Sequence, residues 1–285
     1  MSQQENTLDW KYIVKYITDE NMLNKLRDYG QFKHKINNVV QQMIDNQELI
    51  DQEIIKIESI YKGETKNNQR CGRGIQIWNG NNRGIYEGTW LNDQQFGYGR
   101  LINQCGDVYI GNWNEDKMNG YGELYFNNGP FYQGDWKDDL QHGIGVEFWP
   151  NGQIYEGEYK LGQKSGKGKY INEDGSIYEG ELLLNEYDGY GKYIWSDGRV
   201  YEGQWKNSLI HGFGTNIWAD GKKYVGNHKN GKKQGYGTFY WADGRSYEGN
   251  WDMGLQHGEG IYKNLDGFKQ KGLWEKGKRI KWLDN

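Results

Sequence analysis

A Tyr-x-Gly segment that returns every 23 residues constrains the fold of this chain more than any other feature of its sequence. A Gly-x-Gly segment follows each tyrosine, with its glycines 11 and 13 residues further on. A degenerate first copy begins at Tyr61, and the regular copies begin at Tyr86, Tyr109, Tyr132, Tyr155, Tyr178, Tyr201, Tyr224 and Tyr247. An internal repeat of this length predicts a stacked architecture in which each repeat buries its apolar side against its neighbours.

Each repeat has the pattern of a β-hairpin. Side chains two residues apart in a strand share a face, so Tyr155, Gly157 and Tyr159 point one way while Glu156 and Glu158 point the other. We expect the aromatic side to be buried, with rings lying against the bare backbone of the Gly-x-Gly strand. A loop such as residues 137–142 is expected inside each hairpin, and the Asp-Gly or Asn-Gly pair near its end predicts the turn into the next repeat.

The fold class that follows is mainly β: a single-layer twisted solenoid of about nine 23-residue hairpins plus a partial C-terminal one, with an N-terminal helical segment. With 43 Gly and a mean hydropathy of −1.04 in 285 residues, the composition argues against a thick aliphatic core. At about 4.8 Å per strand, the 18 or so strands of nine hairpins would form a rod on the order of 85 Å long. The expected domains are residues 1–60, 61–274 for the repeats, and 275–285 as a basic cap or tail.

Residues 1–60 contain little glycine and have helical apolar spacing, which predicts a cap or docking arm. A first helix is expected from Thr7, a suitable N-cap, to about Tyr29, with Gly30 ending it. A second is expected over about residues 32–60. Its coiled-coil-like stripe comprises Ile36, Val40, Met43, Gln47, Ile50, Ile54, Ile57 and Tyr61. Two alternatives stay open, because the stripe could cover the first hairpins or bind a partner or a second copy.

Composition excludes several classes of function. A net charge of −4 argues against nucleic-acid binding, which needs a basic surface. Two cysteines are too few for a disulfide framework, which predicts a reducing compartment. The sequence has neither an N-terminal apolar signal region nor an apolar run of about 18 residues, so we expect a cytoplasmic protein.

The residues offer no catalytic site, metal site or cofactor site. The Gly-x-Gly segments lack the Lys-Ser/Thr of a phosphate loop and the third glycine of a dinucleotide-binding turn. His142, His211 and His257 occupy the same position of different repeats, just before Gly-x-Gly. The repeat spacing separates them by roughly 20–30 Å, too far to share a metal ion. We interpret them as turn residues, and the repeated glutamates as a solvated stripe.

The repeats resemble MORN repeats (membrane occupation and recognition nexus). The resemblance rests on Tyr201-Glu-Gly-Gln-Trp205 followed by His211-Gly-Phe-Gly214, and on Tyr247-Glu-Gly-Asn-Trp251 followed by His257-Gly-Glu-Gly260. It covers about residues 61–274, with Thr65, Leu182 and His228 replacing the usual second aromatic. It implies a non-catalytic repeat module, similar to those of radial spoke heads and other ciliary or cytoskeletal proteins, of junctophilins at membrane contacts, and of some lipid kinases.

Three sets of residues are candidates for binding. If the aromatic side leaves a groove for a helix or an extended peptide, its open rings are expected to be Tyr132, Trp136, Tyr155, Tyr159, Tyr201 and Trp205. The helical arm would present Val40, Met43, Gln47, Ile50, Ile54 and Ile57. A basic C-terminal end could meet an anionic membrane surface through Lys269, Lys271, Lys276, Lys278, Arg279, Lys281 and Trp282.

The sequence therefore predicts a scaffold or adaptor that is not an enzyme. It would hold a partner protein through its repeats and N-terminal helices, in a cytoskeletal or ciliary assembly such as the axoneme. We also expect the N-terminal helix or the end strands to allow self-association. The alternatives are a peripheral module for anionic phospholipids, such as phosphoinositides or phosphatidylserine, and an accessory regulator of a lipid kinase.

Overall fold

The computed structural model describes residues 17, 20–30, 32–33, 49–80 and 84–283, which contain one helix and 21 strands. The chain divides after Pro150 into two compact units. The first unit contains α1 (Glu20–Tyr29), β1 (Ile50–Lys56), β2 (Ser59–Lys66), β3 (Gln69–Trp78), β4 (Gly84–Leu91), β5 (Gln94–Asn103), β6 (Val108–Asn114), β7 (Lys117–Tyr125), β8 (Phe131–Lys137) and β9 (Leu140–Phe148). The second contains β10 (Ile154–Lys160), β11 (Gln163–Ile171), β12 (Ile177–Leu183), β13 (Glu186–Ile194), β14 (Val200–Lys206), β15 (Leu209–Ile217), β16 (Lys223–Lys229), β17 (Lys232–Tyr240), β18 (Ser246–Asp252), β19 (Leu255–Lys263), β20 (Lys269–Glu275) and β21 (Lys278–Trp282).

Within each unit, consecutive strands pair antiparallel and form a one-layer meander. The glycines at the centre of each repeat face each other across neighbouring strands, as Gly88 does with Gly99 and Gly180 with Gly191. This confirms the predicted mainly β fold of hairpin repeats. The register repeats because the hairpins from β6–β7 to β18–β19 all have strands of 7 and 9 residues joined by a two-residue turn.

The turn inside each hairpin is tighter than the loop expected over residues 137–142. Ten hairpins close with two residues that both have positive φ, as Asp138 (φ 50°) and Asp139 (φ 66°) do between β8 and β9. Two such residues match the right-handed twist of the flanking strands, which is why Asn, Asp and Gly are frequent here. The expected loop is therefore wrong, and His142 lies within β9.

These turns also join neighbouring repeats. The backbone N–H of Asp139 donates to the carbonyl of Met118 (3.1 Å), and the Met118 N–H donates back to Oδ1 of Asp139 (2.8 Å). The second turn, between repeats, follows the predicted Asp-Gly pattern. Gly198 has φ 84°, and its N–H donates to the carbonyl of Trp195.

The core is a ladder of aromatic rings on one side of the sheet, which we call the aromatic face. The hydroxyl of each of the nine repeat tyrosines donates to the backbone carbonyl three residues further on, at 2.6–3.1 Å. Tyr132 lies over the paired Gly134 and Gly145, where an added Cβ would collide with its ring. Trp136 packs edge-on against Tyr132 at 5.1 Å and donates from Nε1 to the carbonyl of Gly122. Glycine therefore provides the space in which the rings are buried.

The N-terminal prediction is partly wrong. Helix α1 ends just before Gly30 as expected, where φ is 63° and the N–H donates to the carbonyl of Leu26. It begins at Glu20, and Ile17 is not helical, so the expected helix from Thr7 is wrong at Ile17; residues 7–16 lie outside the described residues. The second helix is wrong over residues 50–60, because β1 pairs antiparallel with β2. A strand there fills the hydrogen-bonding edge of β2, which a helix could not do.

The sheet thus extends beyond both ends of the predicted repeat domain. At the C-terminal end, residues 278–282 form β21, which pairs with β20, so five of the eleven residues of the expected basic tail form a strand. At the N-terminal end, Ile36, Val40, Met43 and Gln47 of the predicted stripe lie outside the described residues.

Candidate functional site

The face opposite the aromatic rings, which we call the isoleucine face, carries an apolar row in each unit. In the first unit the central part of this row consists of Ile77, Ile85, Ile102 and Val108, which pair in this order across β3, β4, β5 and β6. We call these four residues the first-unit row; Ile60 on one side and Tyr125, Phe131 and Phe148 on the other continue the same register. The same repeat positions form a second-unit row in β10–β15, which consists of Ile154, Ile171, Ile177, Ile194, Val200 and Ile217. Each row crosses the strands, one residue per strand.

Helix α1 covers the first-unit row. Met22, Leu23 and Leu26 project from one side of the helix and form one buried cluster with the four residues of the row. Those four residues are only 0–1% exposed. Burying a Met or Leu side chain contributes about 1.5–3 kcal/mol, so three of them fix the helix on the face.

Polar and aromatic contacts anchor the end of α1. Arg100 forms a buried ion pair with Glu87, and its Nη2 also donates to the carbonyl of Gly30 at 2.9 Å. Burial raises the pKa of Glu87, and the Arg100 charge opposes that rise. Just beyond the helix, the ring of Phe32 stacks on Tyr98 with centroids 5.8 Å apart. The helix and the residues after it thus occupy the apolar row and the neighbouring aromatic position of the same face.

The second-unit row is more exposed to solvent than the first-unit row, although both consist of the same repeat positions. Ile194 is 36% exposed and Ile217 43%, while the other four side chains of the row are half-buried. Tyr190, Phe213 and Tyr236, which occupy the repeat position of Tyr98, are exposed. Together these side chains form an apolar surface with the same repeat positions that α1 and Phe32 cover in the first unit.

A charged row separates the exposed rings from the second-unit row. It consists of alternating, cross-strand paired carboxylates and ammonium groups: Glu156, Lys169, Glu179, Lys192 and Glu202. All five side chains are exposed. The row of isoleucines itself ends at Lys223, which pairs with Ile217.

The comparison that decides the family is a match to the MORN repeat model over nine consecutive segments. The matched residues are 61–83, 86–103, 109–130, 132–154, 155–177, 178–198, 201–223, 224–244 and 247–267. The chain belongs to the MORN repeat family. None of the curated proteins matches it significantly.

Solved structures similar to this MORN protein include two domains with low sequence identity. One is the TCP domain of SAS-4 (dCPAP) of Drosophila melanogaster in complex with a proline-rich motif of Ana2 (dSTIL), with 13% identity, 63% of this chain and 90% of that chain covered, and a TM-score of 0.34. The other is the G-box domain of the microcephaly protein CPAP, with 12% identity, 72% and 100% coverage, and a TM-score of 0.37. These TM-scores are below the level at which two chains share a fold.

The six rings expected to line a groove of the MORN array are instead part of its core. They are 0–7% exposed: Tyr132, Trp136, Tyr155, Tyr159, Tyr201 and Trp205. Each tyrosine of the ladder lies on a glycine pair, and the next aromatic closes over it, so no ring face remains for a partner. The prediction that these rings bind is wrong for this physical reason.

The predicted arm residues that the structure describes belong to the first hairpin. Ile50 and Ile54 lie in β1, and Ile57 lies in the turn that follows it. Ile50 and Ile57 are exposed, but they do not share a helical stripe. The other three arm residues, Val40, Met43 and Gln47, lie outside the described residues.

The basic residues of the C-terminal end lie on both faces of the last hairpin. Lys269, Lys271 and Lys281 are on the isoleucine face and are exposed, although Lys271 pairs with Glu259 at 2.7 Å. Arg279 is on the aromatic face, with its guanidinium 4.0 Å from the ring centre of Trp282. The remaining two, Lys276 and Lys278, lie in the last turn and at the start of β21.

The buried thiol of Cys71 and the distribution of possible metal ligands bear on catalysis. Cys71 is buried, and burial raises the pKa of its thiol, the opposite of what a nucleophile requires. In the part of the chain that the structure describes, no group of three or more His, Cys, Asp or Glu residues could hold a metal ion. No described helix has the length and apolar character needed to span a membrane.

Sequence reasoning missed the isoleucine face, although a signal for it exists. The residue before most repeat tyrosines is apolar, as are Ile85, Val108, Ile154, Ile177 and Val200. Hairpin pairing places these side chains beside apolar residues of the Gly-x-Gly strand. Glycines and aromatic residues dominate the repeat pattern, and the shorter apolar residues at the strand ends form a row only when the strands are paired.

Proposed function

We propose that this MORN protein is a non-catalytic scaffold that binds a partner protein on the isoleucine face of its second unit. One observation carries the proposal. The same repeat positions are 0–1% exposed where α1 covers them and reach 36–43% in the second unit. A sheet face with an exposed apolar row and flanking rings is the kind of surface that protein partners cover.

The proposed setting is a cytoskeletal or ciliary assembly in the cytoplasm. Its support is the resemblance of the repeats to those of ciliary and cytoskeletal MORN proteins, which is an argument from family alone. A role as accessory regulator of a separate lipid kinase has the same kind of support and ranks below the scaffold.

The test is recovery of bound proteins by a tagged full-length chain after detergent fractionation of cells. Replacing Ile194 and Ile217 by Asp places two charges in the row, and we expect the principal co-purifying protein to be lost at least tenfold. The matched control replaces Leu161 and Leu184 by Asp. These leucines are exposed to 60% and 59%, lie at hairpin turns with φ near 50°, and correspond to Asp138 of another repeat.

The control chain should keep its partner, since Asp fits a turn of this kind and the charge change is the same. Both variants should give the circular dichroism spectrum of the unmodified protein. Equal recovery by the row variant and the unmodified chain would refute binding on this face.

The second candidate function is binding of an anionic membrane surface by the C-terminal end. It is favoured by the shared exposure of Lys269, Lys271 and Lys281 on one face. Each such cation near an anionic bilayer contributes about 1 kcal/mol, and salt screens the attraction. Residues 220–285 hold 13 basic and 8 acidic side chains, so this attraction is confined to one end.

Sedimentation with phosphatidylserine vesicles at low and high salt tests this candidate. Replacing Lys269 and Lys281 by Gln should release the protein, whereas Lys160→Gln with Lys206→Gln, which removes two exposed charges elsewhere, should not. Failure to sediment at low salt would exclude it.

A further inference from the structure

We propose that the element of the partner that lies on the second-unit row is an amphipathic α-helix of about 16 residues. This inference rests on the proposed function and makes it specific. The six side chains of the row cross six strands, so at about 4.8 Å per strand the row is about 24 Å long. A helix rises about 1.5 Å per residue and needs about 16 residues to cover that length.

In the first unit, α1 matches the length of the segment that it covers. That segment, the first-unit row, has four side chains and is about 14 Å long by the same strand spacing. Helix α1 has ten residues, and a helix of that length extends about 15 Å. Its Met22, Leu23 and Leu26 form one buried cluster with the four side chains of the row. A helix therefore already covers this row in the chain itself.

Periodicity favours a helix over an extended peptide. Successive side chains of the row are about 4.8 Å apart, close to the 5.4 Å pitch of a helix, so each turn meets one or two strands. An extended peptide places same-side residues almost 7 Å apart, so its side chains would not match the spacing of the row. It would also lay its backbone N–H and C=O groups on side chains, whereas a helix satisfies them internally.

The charges beside the row indicate which charges the partner helix should carry on its polar edge. Glu179 and Glu202 alternate with Lys169 and Lys192 along the row, so the helix should carry both acidic and basic residues on that edge. Lys192 occupies the repeat position of Arg100, which donates to the carbonyl of Gly30 just after α1. We expect Lys192 to contact the C-terminal carbonyls of the partner helix in the same way, as cations favour that end.

The glutamates of the charged row also argue against a lipid surface as the occupant. Three of its five side chains are carboxylates, and an anionic bilayer would repel them. A protein helix can pair with carboxylates and ammonium groups alternately, which a bilayer cannot do.

The probe for the experiment is the chain's own covering segment, supplied as a fluorescent peptide of residues 17–33. An Asn24→Lys substitution allows a lactam bridge to Asp28, since both positions face solvent and are one turn apart, and the bridge holds the peptide helical. Added to the full-length chain, whose own α1 covers the first-unit row, the peptide should raise its anisotropy on binding. The chain with Ile194→Asp and Ile217→Asp should bind at least tenfold more weakly.

Two controls separate row binding from general adhesion. The Leu161→Asp, Leu184→Asp chain should bind the bridged peptide as the unmodified chain does. A peptide of the same composition, rearranged so that its apolar residues alternate as in a strand, should not bind.

Four outcomes would overturn the inference. The first is no binding of the bridged peptide, and the second is equal binding of the bridged and rearranged peptides. The third is binding that the row substitutions leave unchanged, which is the result expected if the peptide displaces the chain's own α1. The fourth is row-dependent binding of phosphatidylserine vesicles. Loss of the cellular partner on substitution of the row, together with no binding of the bridged peptide, would refute the helix and leave the proposed function standing.

Discussion

Because His228 is buried, we expect acid to lower the stability of the second unit, by an amount that follows from the surroundings of the ring. His228 occupies the position where most repeats have Trp or Tyr, and it is 4% exposed. Its ring packs edge-on between Tyr224 and Tyr201, at centroid distances of 5.0 and 5.4 Å. The amide of Asn216 lies 3.0 Å from Nε2. Burial, with a contribution from the Lys233 charge on the paired strand, lowers the pKa of His228 to about 4.

The sign and size of the effect follow from linkage. In the unfolded chain His228 has a pKa of about 6.5, so between pH 6.5 and pH 4 the unfolded state binds a proton that the folded state does not. Stability is therefore complete above pH 6.5 and falls as the pH decreases. At pH 5 the loss is about 2 kcal/mol for this one residue.

The substitution that isolates this effect is His228→Trp. Trp205 and Trp251 occupy the same position in other repeats, so tryptophan fits this site. Urea unfolding at pH 7.5 and pH 5 should show that the unmodified protein loses about 2 kcal/mol more than the variant. If Trp disturbs the fold, His228→Phe gives the same comparison. NMR titration of the His228 ring gives its pKa directly. Equal pH dependence in both proteins, or a titration near 6.5, would refute the reasoning.

Three further predictions concern the repeats and the helix. Gly145→Ala should destabilise the first unit by about 3 kcal/mol, because the new Cβ would lie 2.6 Å from Cε2 of Tyr132; thermal unfolding measures it, and an unchanged midpoint would contradict the glycine-pair packing. Asp139→Ala should cost about 1–2 kcal/mol in urea unfolding through its bond to Met118 and its positive φ, and Asp139→Gly should cost less; the reverse order would be inconsistent with the turn. Leu26→Ala should cost about 2–5 kcal/mol and speed amide exchange in β4–β6, whereas unchanged exchange would show that α1 does not protect the row.

Local chemistry made much of the fold predictable. The spacing of Tyr155, Gly157 and Tyr159 predicted which side of the sheet is buried, because the alternation of a strand leaves little freedom. The Asp-Gly turn before Tyr201 was predicted from backbone preferences alone. In both cases the residues that determine the conformation lie within one repeat, and the same pattern recurs in several repeats.

The failures concern residues whose environment depends on distant parts of the chain. Ile50 and Ile54 match a helical stripe by spacing, but the unpaired edge of β2 decides their conformation. The rings of the predicted groove, such as Tyr132, are buried between a pair of glycines on two paired strands and a neighbouring aromatic ring. The isoleucine face becomes a candidate site only when α1 is seen on one part of it and Ile194 and Ile217 are exposed on another.

Photo-crosslinking in cells tests directly whether the second-unit row binds a partner protein. Benzoylphenylalanine is placed at position 194, at position 217 and, as the control, at position 184 of the tagged full-length chain. We expect one adduct of the same mass from positions 194 and 217 and none from position 184. Adducts of equal yield from position 184, or none from the two row positions, would contradict this expectation.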